Sequence, residues 1–488
     1  MNGLRNVAEP TVYELSMLGR CGVDLPAVDV PEKDLPTSLL RDDNGLPELA
    51  QRDVARHYLR LSQMNFGVDS GFYPLGSCTM KYNPKVSEEI ARLPGFASSH
   101  PLQPPASVQG SLAVMHALQE WLKEIGGFAG VSLQPAAGAQ GELTALLMMR
   151  AYHADRGEPQ RNQVLIPDSA HGTNPASTTM AGLNALEIPS DGRGNVDVEA
   201  LRVACDGSVA GLMLTNPNTL GLFEENIEEV VRLVHGCGGL VYGDGANMNA
   251  LTGIVRPGAL GIDLMHYNLH KTFATPHGGG GPGSGPVGAS EALRDYLPGP
   301  IVAKMGAEEG GKDTYLPVAP KRSIGRMATF LGNFGMILRA YAYIRMHGDE
   351  GLRQNAMHAV LNANYLRIRL RDIYPVPFDR PCMHEFVCRG DFPETHLRAI
   401  DVSKRLMDYG FHPPTNYFPL IVPEALMIEP TETESKQTLD AFVAAMRHIA
   451  EEAADEPQLL RSAPHATPVG RLDEVKAARS LIVRDTAG

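Results

Sequence analysis

The chain has 488 residues, 43% of them hydrophobic and 20% charged, which is typical of a soluble globular protein with two or three domains. Its net charge of −13 argues against a nucleic-acid-binding surface, where a basic stripe is expected. No apolar run reaches the length of about 18 residues that a membrane span needs, and charged residues interrupt the N-terminus where a signal peptide needs an apolar core. We therefore expect a cytoplasmic protein.

The cysteines are widely scattered along the chain and lack Cys-x-x-Cys spacing. This pattern disfavours both a zinc site and a disulfide framework, so we expect reduced thiols and no bound metal. They are Cys21, Cys78, Cys205, Cys237, Cys382 and Cys388.

Residues 1–70 carry prolines between short apolar stretches, which is typical of an extended arm that wraps a neighbour. Within this arm, apolar spacing predicts a helix over residues 53–64. The next stretch, residues 71–81, is rich in turn formers and small hydroxyl side chains. It indicates an ordered loop, or merely a turn.

Apolar residues at helical spacing predict a helix over residues 107–125, which ends at Gly126 and Gly127. Small residues at 132–142 then lead into an apolar helix at 143–152. Free N–H groups at such a helix N-terminus form a phosphate seat, although an ordinary tight turn fits the stretch equally well. A P-loop is excluded because no Gly-Lys-Ser/Thr follows.

Continuously apolar strands are predicted at 164–166, 211–214 and 239–242, with a helix between the last two. Such strands indicate a parallel sheet covered by helices on both faces. Ligands bind at the carboxyl ends of strands in these sheets. His171, residues 216–219 and Asp244 follow the three strands in turn.

Beyond about residue 332, helices are predicted at 334–345, 352–370 and 434–453, with short strands near 386–387 and 426–428. This pattern indicates a second α/β domain. We therefore divide the chain into an arm (1–70), a large domain (71–331) and a small domain (332–488).

Lys271 lies between two short apolar runs and precedes a glycine run at 278–281. Partial burial there would favour its neutral amine, the form that attacks a carbonyl, and glycines allow backbone to approach a ligand closely. Lys271 is thus a candidate Schiff-base lysine.

Pyridoxal phosphate needs a lysine, a phosphate cradle, a carboxylate for its ring nitrogen and a flat group against its ring. Lys271, residues 138–142, Asp244 and His171 can fill these roles. Taken singly, Asp244 could be a turn former and His171 a hydrogen-bonded turn residue. The gap from Asp244 to Lys271 leaves room for one crossover helix, so neighbouring strands could bring both to one rim.

Ordered motifs over roughly residues 10–480 resemble the glycine decarboxylases (P-proteins) of the glycine cleavage system, and in particular subunit 2 of the two-subunit form. They are Tyr-Pro-Leu-Gly-Ser-Cys-Thr-Met-Lys at 73–81, Ala-Gly-Ala-Gln-Gly-Glu at 137–142, Asp-Ser-Ala-His-Gly-Thr-Asn-Pro-Ala at 168–176, Thr-Asn-Pro-Asn-Thr-Leu-Gly at 215–221, Gly-Asp-Gly-Ala-Asn at 243–247, Asn-Leu-His-Lys-Thr-Phe at 268–273, His-Gly-Gly-Gly-Gly-Pro-Gly at 277–283, Glu-Pro-Thr-Glu at 429–432 and Thr-Pro-Val-Gly-Arg-Leu-Asp-Glu-Val at 467–475.

The resemblance implies an α/β, fold-type I enzyme that depends on pyridoxal 5'-phosphate, with a large, mostly parallel sheet domain and a smaller C-terminal α/β domain. Lys271 matches the cofactor lysine, His171 the histidine stacked on the ring, and Asp244 the partner of the pyridine nitrogen; these are the expected catalytic residues. Further cofactor contacts are expected from Gly138, Ala139, Gln140, Thr219, Ala246 and His270.

The implied activity is that of a glycine dehydrogenase (aminomethyl-transferring, decarboxylating), an oxidoreductase. Glycine would lose CO2, and its aminomethyl group would pass to the lipoyl arm of H-protein. Because the chain matches only the lysine-bearing half of the long single-chain forms, a separate subunit 1 is expected, in an α2β2 assembly.

Three alternatives stay open from the residues alone. An aminotransferase needs an arginine clamp, which Arg326, Arg345 or Arg367 could supply, and a cysteine desulfurase needs a mobile cysteine, such as Cys78. A non-catalytic scaffold subunit is disfavoured by the presence of Lys271 together with Asp244.

Overall fold

The computed structural model describes residues 8–42, 44–277, 283–306 and 313–483. The glycine run at 278–281 lies outside the described residues. A seven-stranded sheet with helices on both faces dominates the structure, and a three-stranded antiparallel sheet follows it in the chain.

The strands of the large sheet lie in the order β1-β7-β6-β5-β4-β2-β3. Those from β6 to β3 are mutually parallel, whereas β7 pairs antiparallel with both β1 and β6. The strands are β1 (Gly130–Ser132), β2 (Gln163–Pro167), β3 (Asn184–Ile188), β4 (Val209–Thr215), β5 (Leu240–Asp244), β6 (Leu264–His266), β7 (Val287–Ala289), β8 (Ile301–Lys304), β9 (Tyr315–Val318), β10 (Phe386–Arg389), β11 (Thr415–Asn416) and β12 (Ala425–Ile428).

The α-helices are α1 (Gln51–Met64), α2 (Lys85–Ala91), α3 (Pro94–Ala97), α4 (Gln109–Gly126), α5 (Gly138–Asp155), α6 (Thr173–Met180), α7 (Val198–Ala204), α8 (Ile227–Gly236), α9 (Leu269–Thr272), α10 (Phe334–Leu370), α11 (Ala399–Asp408), α12 (Lys436–Asp455), α13 (Pro457–Ser462) and α14 (Glu474–Arg479). The 3-10 helices are Thr37–Leu39, Pro105–Ser107, Gly245–Ala250, Pro257–Leu260, Arg294–Tyr296 and Pro393–Thr395.

The core consists of one apolar layer on each face of the large sheet and a third cluster around the small sheet. Every residue of β4 is buried, as expected of a strand covered on both faces. On α8, the apolar stripe of Ile227, Val230, Val231 and Val234 is buried against the sheet. The apolar patterns that predicted these two elements therefore mark the residues that are buried in the sheet and against it.

The connection from β5 to β6 differs from the expected crossover helix. Two 3-10 helices, Gly245–Ala250 and Pro257–Leu260, replace it. Gly253 and Gly261 adopt φ angles of 74° and 89°, and Pro257 provides no N–H, so an α-helix cannot propagate through the segment. The two strands are nevertheless adjacent and parallel.

Helix α10 contains the two helices predicted at 334–345 and 352–370, which meet at Gly348 with φ 65°. The first part packs in the large-sheet core through residues such as Ile337 and Ile344, and the last part in the small-sheet core through Leu366 and Leu370. The proposed boundary near residue 332 thus falls just before a helix that contributes to both cores.

The N-terminal arm contributes little to these cores. Within 8–42 and 44–48, Leu18 and Leu25 are 95% and 83% exposed, and of helix α1 only His57 is buried. The arm is fixed to α1 by an ion pair from Arg20 to Asp53 and by a hydrogen bond between Glu9 and His57. Among the described residues, no helix is long and apolar enough to cross a membrane.

Candidate functional site

A cavity of about 250 Å³ lies at the carboxyl edge of the large sheet, as expected for a sheet of this class. Its walls contain every predicted site residue except Gln140. The lining residues are Ser77, Ala137, Gly138, Ala139, Glu142, His171, Thr173, Thr215, Thr219, Asp244, Ala246, His266, Asn268, His270 and Lys271.

Lys271 reaches this rim because the chain turns directly after β6 into the short helix α9. The Lys271 N–H donates to Asn268 O at 3.1 Å, and the side chain is half-buried. Phe273 and Leu269, on either side, are fully buried and fix the position of the lysine. Apolar neighbours in the sequence thus anchor a basic side chain at the cavity wall.

Asp244 ends β5 and is almost fully buried. Its Oδ1 accepts from the Ala246 N–H at 2.9 Å and lies 3.6 Å from His266 Nε2, and its Oδ2 accepts from Asn174 Nδ2 at 3.3 Å. Burial favours the neutral acid, but His266, the Ala246 N–H and Lys271 outweigh it and hold the pKa of Asp244 below its usual value. The aspartate is therefore a preformed anion.

Glu142, in contrast to Asp244, is held in its neutral form. Its carboxyl accepts from Asn174 Nδ2 at 2.9 Å and Ser177 Oγ at 3.3 Å. Burial, followed by the charge of Asp244, raises the pKa of Glu142 to about 8. This residue was grouped by sequence with the phosphate cradle, but its carboxyl lies beside Asn174 and Asp244 and is protonated near neutral pH.

The predicted cradle lies at the N-terminus of α5, where N–H groups have no intrahelical partner. A Cβ on Gly138 would come within 2.6 Å of Asn268 Oδ1, so only glycine fits here without displacement. The Gln140 side chain lies elsewhere: it accepts from the Ala136 N–H at 2.7 Å and donates to Met327 O at 3.1 Å.

His171 follows β2, lines the cavity and is exposed. Its Nδ1 lies 2.7 Å from Thr173 Oγ1, and its ring meets Phe418 edge to face at 5.3 Å. These contacts hold the imidazole at the cavity wall.

Two other predicted residues have distinct surroundings. The Thr219 hydroxyl donates to Ser169 O. His270 is largely buried, which lowers its pKa to about 3, and its ring lies 5.2 Å from that of His277. His270 is thus a neutral group in the wall.

Sequence reasoning assigned no role to His266, Asn268 or Thr215. His266 Nδ1 lies 2.5 Å from the Tyr242 hydroxyl and its Nε2 lies 2.8 Å from Asn268 Nδ2. Burial lowers the pKa of His266 to about 4. A polar residue at the end of an apolar strand was the available signal, because strand ends form this rim.

The residues that an aminotransferase or a cysteine desulfurase would need lie outside the lining of this cavity. None of the arginines named above lines it: Arg326 and Arg345 are exposed, and Arg367 pairs with Asp379. The Cys78 carbonyl accepts from His277 Nε2 at 3.0 Å, and burial raises the pKa of its thiol. Neither an arginine clamp nor a mobile reactive cysteine is present in the described cavity.

Comparison with known proteins yields close relatives over nearly the whole length. The chain is 55% identical over 481 residues to a protein of Caldanaerobacter subterraneus subsp. tengcongensis named probable glycine dehydrogenase (decarboxylating) subunit 2, covering 97% of this chain and 98% of the relative. A Staphylococcus haemolyticus protein of the same name is 54% identical over 484 residues, covering 98% and 97%. Residues 355–465 match the family model described as glycine dehydrogenase, C-terminal domain.

Among solved structures, the chain is similar to a glycine decarboxylase (P-protein) of the glycine cleavage system in inhibitor-bound form, with a TM-score of 0.71 and 22% identity. The match covers 85% of this chain and 93% of that chain. This likeness confirms the predicted fold class.

Proposed function

This chain belongs to the glycine dehydrogenase (decarboxylating) subunit 2 family, and we propose that it decarboxylates glycine with pyridoxal 5'-phosphate. In this proposal the aminomethyl group passes to the lipoyl arm of H-protein, and the chain is the lysine-bearing subunit of a two-subunit enzyme. The observation that carries the proposal is the convergence of Lys271, Asp244 and His171 on one cavity.

The described residues fit the cofactor. Lys271 would hold its aldehyde, Asp244 its ring nitrogen, His171 the face of its ring, and the α5 N-terminus at Gly138 and Ala139 its phosphate. The close approach that Gly138 permits and the buried Thr215 hydroxyl, which has no hydrogen-bond partner among the described residues, both suit a bound ligand. When bound, the cofactor supplies an electron sink for the pair released as CO2 departs.

Asp244 would provide the negative charge that stabilises the protonated ring of the cofactor. As a preformed anion it keeps a proton on the ring nitrogen without reorganisation during the reaction, since the Ala246 N–H and Asn174 already orient it. Glu142, protonated nearby, adds no second negative charge to compete for that proton.

Substrate selection would depend on size. A cavity of about 250 Å³ that also holds the cofactor leaves room for a small amino acid. Glycine offers no side chain to recognise, so a small pocket must exclude larger competitors. The absence of an arginine from the described lining disfavours the aminotransferase alternative.

The exposed arm supports the proposal of a partner subunit. Arm residues Leu18 and Leu25 and, near the other end of the chain, Leu481 and Ile482 leave large apolar surfaces uncovered. An obligate complex would bury more than ~2,000 Å², with part of residues 14–20 against subunit 1. The lipoyl arm would visit the site only transiently.

Absorbance and trapping test the chemistry. The purified protein supplied with cofactor should absorb visible light. Borohydride should reduce the Schiff base and leave the cofactor covalently attached to Lys271. Glycine–bicarbonate exchange should appear when subunit 1 and lipoylated H-protein are added. Absence of visible absorbance and of exchange in the complete mixture would refute the proposed function.

Sizing tests the assembly separately. Co-expression with subunit 1 should give a larger complex on a column than this chain alone. Full exchange by this chain with H-protein alone, without a mass shift on adding subunit 1, would contradict the two-subunit proposal and leave the chemistry intact.

A further inference from the structure

Residues 74–81 form a loop that contributes Ser77 to the cavity wall and is attached to the small sheet. Leu75 forms an isolated antiparallel bridge with Ile428 of β12, and Pro74 O accepts from the Glu429 N–H at 3.2 Å. A Cβ on Gly76 would come within 2.8 Å of the carbonyl oxygen of Met427, so the loop lies flat on β12. Its next residue, Ser77, lines the cavity that contains Lys271.

The same loop contacts the lysine segment, residues 268–277, which carries Lys271. Lys81 Nζ donates to Thr272 O at 2.7 Å and to Asn249 Oδ1 at 2.8 Å, and it pairs with Glu432 at 2.8 Å. The loop therefore joins the small sheet to the rim of the large one.

Two residues of this loop have left-handed backbone, which is costly for residues other than glycine. Ser77 has φ 64° and Thr79 has φ 47°. Such a conformation persists only where surrounding contacts hold it. Backbone strain of this kind in a cavity wall marks a segment whose position is fixed by its neighbours.

Buried carboxyl groups supply those contacts. The Ser77 N–H donates to Glu385 Oε2 at 2.7 Å, and the Thr79 N–H donates to Glu429 Oε2 at 2.9 Å. The Thr79 hydroxyl also donates to Glu429 Oε1 at 2.5 Å. One glutamate thus holds each strained residue.

Neither glutamate has a cationic partner. Among the described residues, no lysine or arginine comes within ion-pair distance of Glu385 or Glu429, and both are fully buried. The basic side chain that does approach them is His384, whose Nε2 lies 4.0 Å from Glu385 Oε1 and 3.8 Å from Glu429 Oε1. Burial lowers the pKa of His384 to about 3, so its ring is neutral.

His384 provides a second, independent observation. It is wholly buried between the two carboxyls, and neither of its ring nitrogens has a hydrogen-bond partner within the described parts of the chain. A neutral imidazole has one nitrogen that can accept a hydrogen bond and one that can donate one. Burial also raises the pKa of both glutamates, with the charge of Glu429 adding to the effect on Glu385.

We propose that Glu385 and Glu429, beside the neutral His384, carry one proton between them, and that this cluster is the positioning device that holds Ser77 in the substrate wall. The inference rests on the proposed function, since the substrate is the glycine of that proposal. Loss of the shared proton would place two negative charges in one buried site and loosen the wall.

The other titratable groups around the cluster come from several segments. Lys271 and His277 approach from the lysine segment, Cys78 from the loop itself, and Lys81 and Glu432 form an ion pair beside it. Because Lys81 is neutralised by Glu432, Lys271 is the cation whose field reaches both glutamates.

The test uses Glu385→Gln in the assembled holoenzyme. A glutamine oxygen can still accept the Ser77 N–H, and the neutral amide cannot acquire the negative charge that loss of the shared proton would leave on the carboxyl. We expect kcat/KM for glycine within about threefold of wild type near neutral pH. In the wild type, kcat/KM should fall at alkaline pH as the shared proton is lost. In the variant this alkaline fall should move upward or disappear, because the proton can no longer be lost.

Two further variants separate positioning from a general effect on folding. Glu385→Ala removes the acceptor and should lower kcat/KM at least tenfold, mainly through KM, with borohydride labelling of Lys271 retained. Glu224→Gln is the matched control: it alters another buried carboxyl that accepts backbone N–H groups, from Val196 at 2.8 Å and Asn226 at 2.9 Å. It should leave the alkaline fall unchanged.

Two results would overturn the inference. A tenfold loss in Glu385→Gln at every pH would mean that both carboxylates are ionised, as in a cation site, and metal analysis of the wild-type protein would then find a bound ion. An unchanged alkaline fall in Glu385→Gln would also overturn it. Failure of the proposed function itself would instead appear in the wild type, as absent labelling of Lys271 and absent glycine turnover.

Discussion

Two buried pairs of carboxyl groups flank Lys271, and they differ in what surrounds them. Asp244 and Glu142 lie on the large-sheet side, whereas Glu385 and Glu429 lie toward the small sheet. All four are buried, and the lysine favours ionisation in each. Burial alone would therefore predict four similar groups.

The partners decide the outcome. Asp244 has a backbone N–H, an amide and a histidine within reach, so it ionises and leaves Glu142 neutral. Glu385 accepts a matching set, from the Ser77 N–H at 2.7 Å and from Asn247 Nδ2 at 3.4 Å, but burial and the charge of Glu429 outweigh these donors and raise its pKa. The first pair separates one charge for chemistry; the second, in our proposal, shares a proton for positioning. Four changes sharpen or break this contrast.

Replacing Lys271 with alanine removes the cation that both pairs face. We expect glycine turnover to fall by about 10⁴-fold or more, since no other side chain in the described lining can hold the aldehyde. Borohydride labelling and peptide mapping provide the measurement. Lys304→Ala, at an exposed ion pair with Asp313, is the control and should behave as wild type. A label that persists on another lysine in the Lys271→Ala protein would contradict the assignment.

Asp244→Asn tests the charge separated by the first pair. A neutral amide cannot keep the ring nitrogen protonated, so turnover should fall by roughly three orders of magnitude while most cofactor binding is retained. Parallel titration of cofactor absorbance and exchange activity measures the two effects. Near-normal turnover in the variant would exclude this role for Asp244.

Gly138→Ala tests whether the cradle and the first pair are mechanically linked. The added methyl group would crowd Asn268 Oδ1 at 2.6 Å and His266 Nε2 at 3.0 Å, and His266 is a partner of Asp244. We expect cofactor affinity to fall about tenfold, equivalent to about 1.4 kcal/mol. Gly110→Ala, where a Cβ meets open space, is the matched control. Equal cofactor affinities of the two variants would break the link.

Glu142→Gln should have the smallest effect, because Glu142 is already neutral near pH 7. Its pKa is raised to about 8, so the native state binds more protons than the unfolded state between the ordinary glutamate pKa and about 8, and stability falls as pH rises through that window. The variant should lack this fall and keep turnover within about threefold at pH 7. Thermal midpoints measured from pH 5 to 9 provide the test, and identical profiles for both proteins would contradict it.

Local sequence patterns anticipated much of the large sheet. β4 and α8 were predictable because a strand covered on both faces must be continuously apolar and a surface helix must carry a single apolar stripe. The positions of His171 and Asp244 followed, since parallel strands end at a common edge. β3 was missed because most of its residues are exposed, which leaves no apolar run to detect.

What the sequence by itself determined about this protein was the family, the order of elements and which residue types meet at the strand ends. Only the tertiary structure decided that Glu385 and Glu429 hold the Ser77 loop, that His384 lies between them, and that Glu142 is neutral beside an ionised Asp244. The physical reason is that periodicity records whether a side chain is buried. The charge of a buried group depends on neighbours from distant parts of the chain, which only packing brings together.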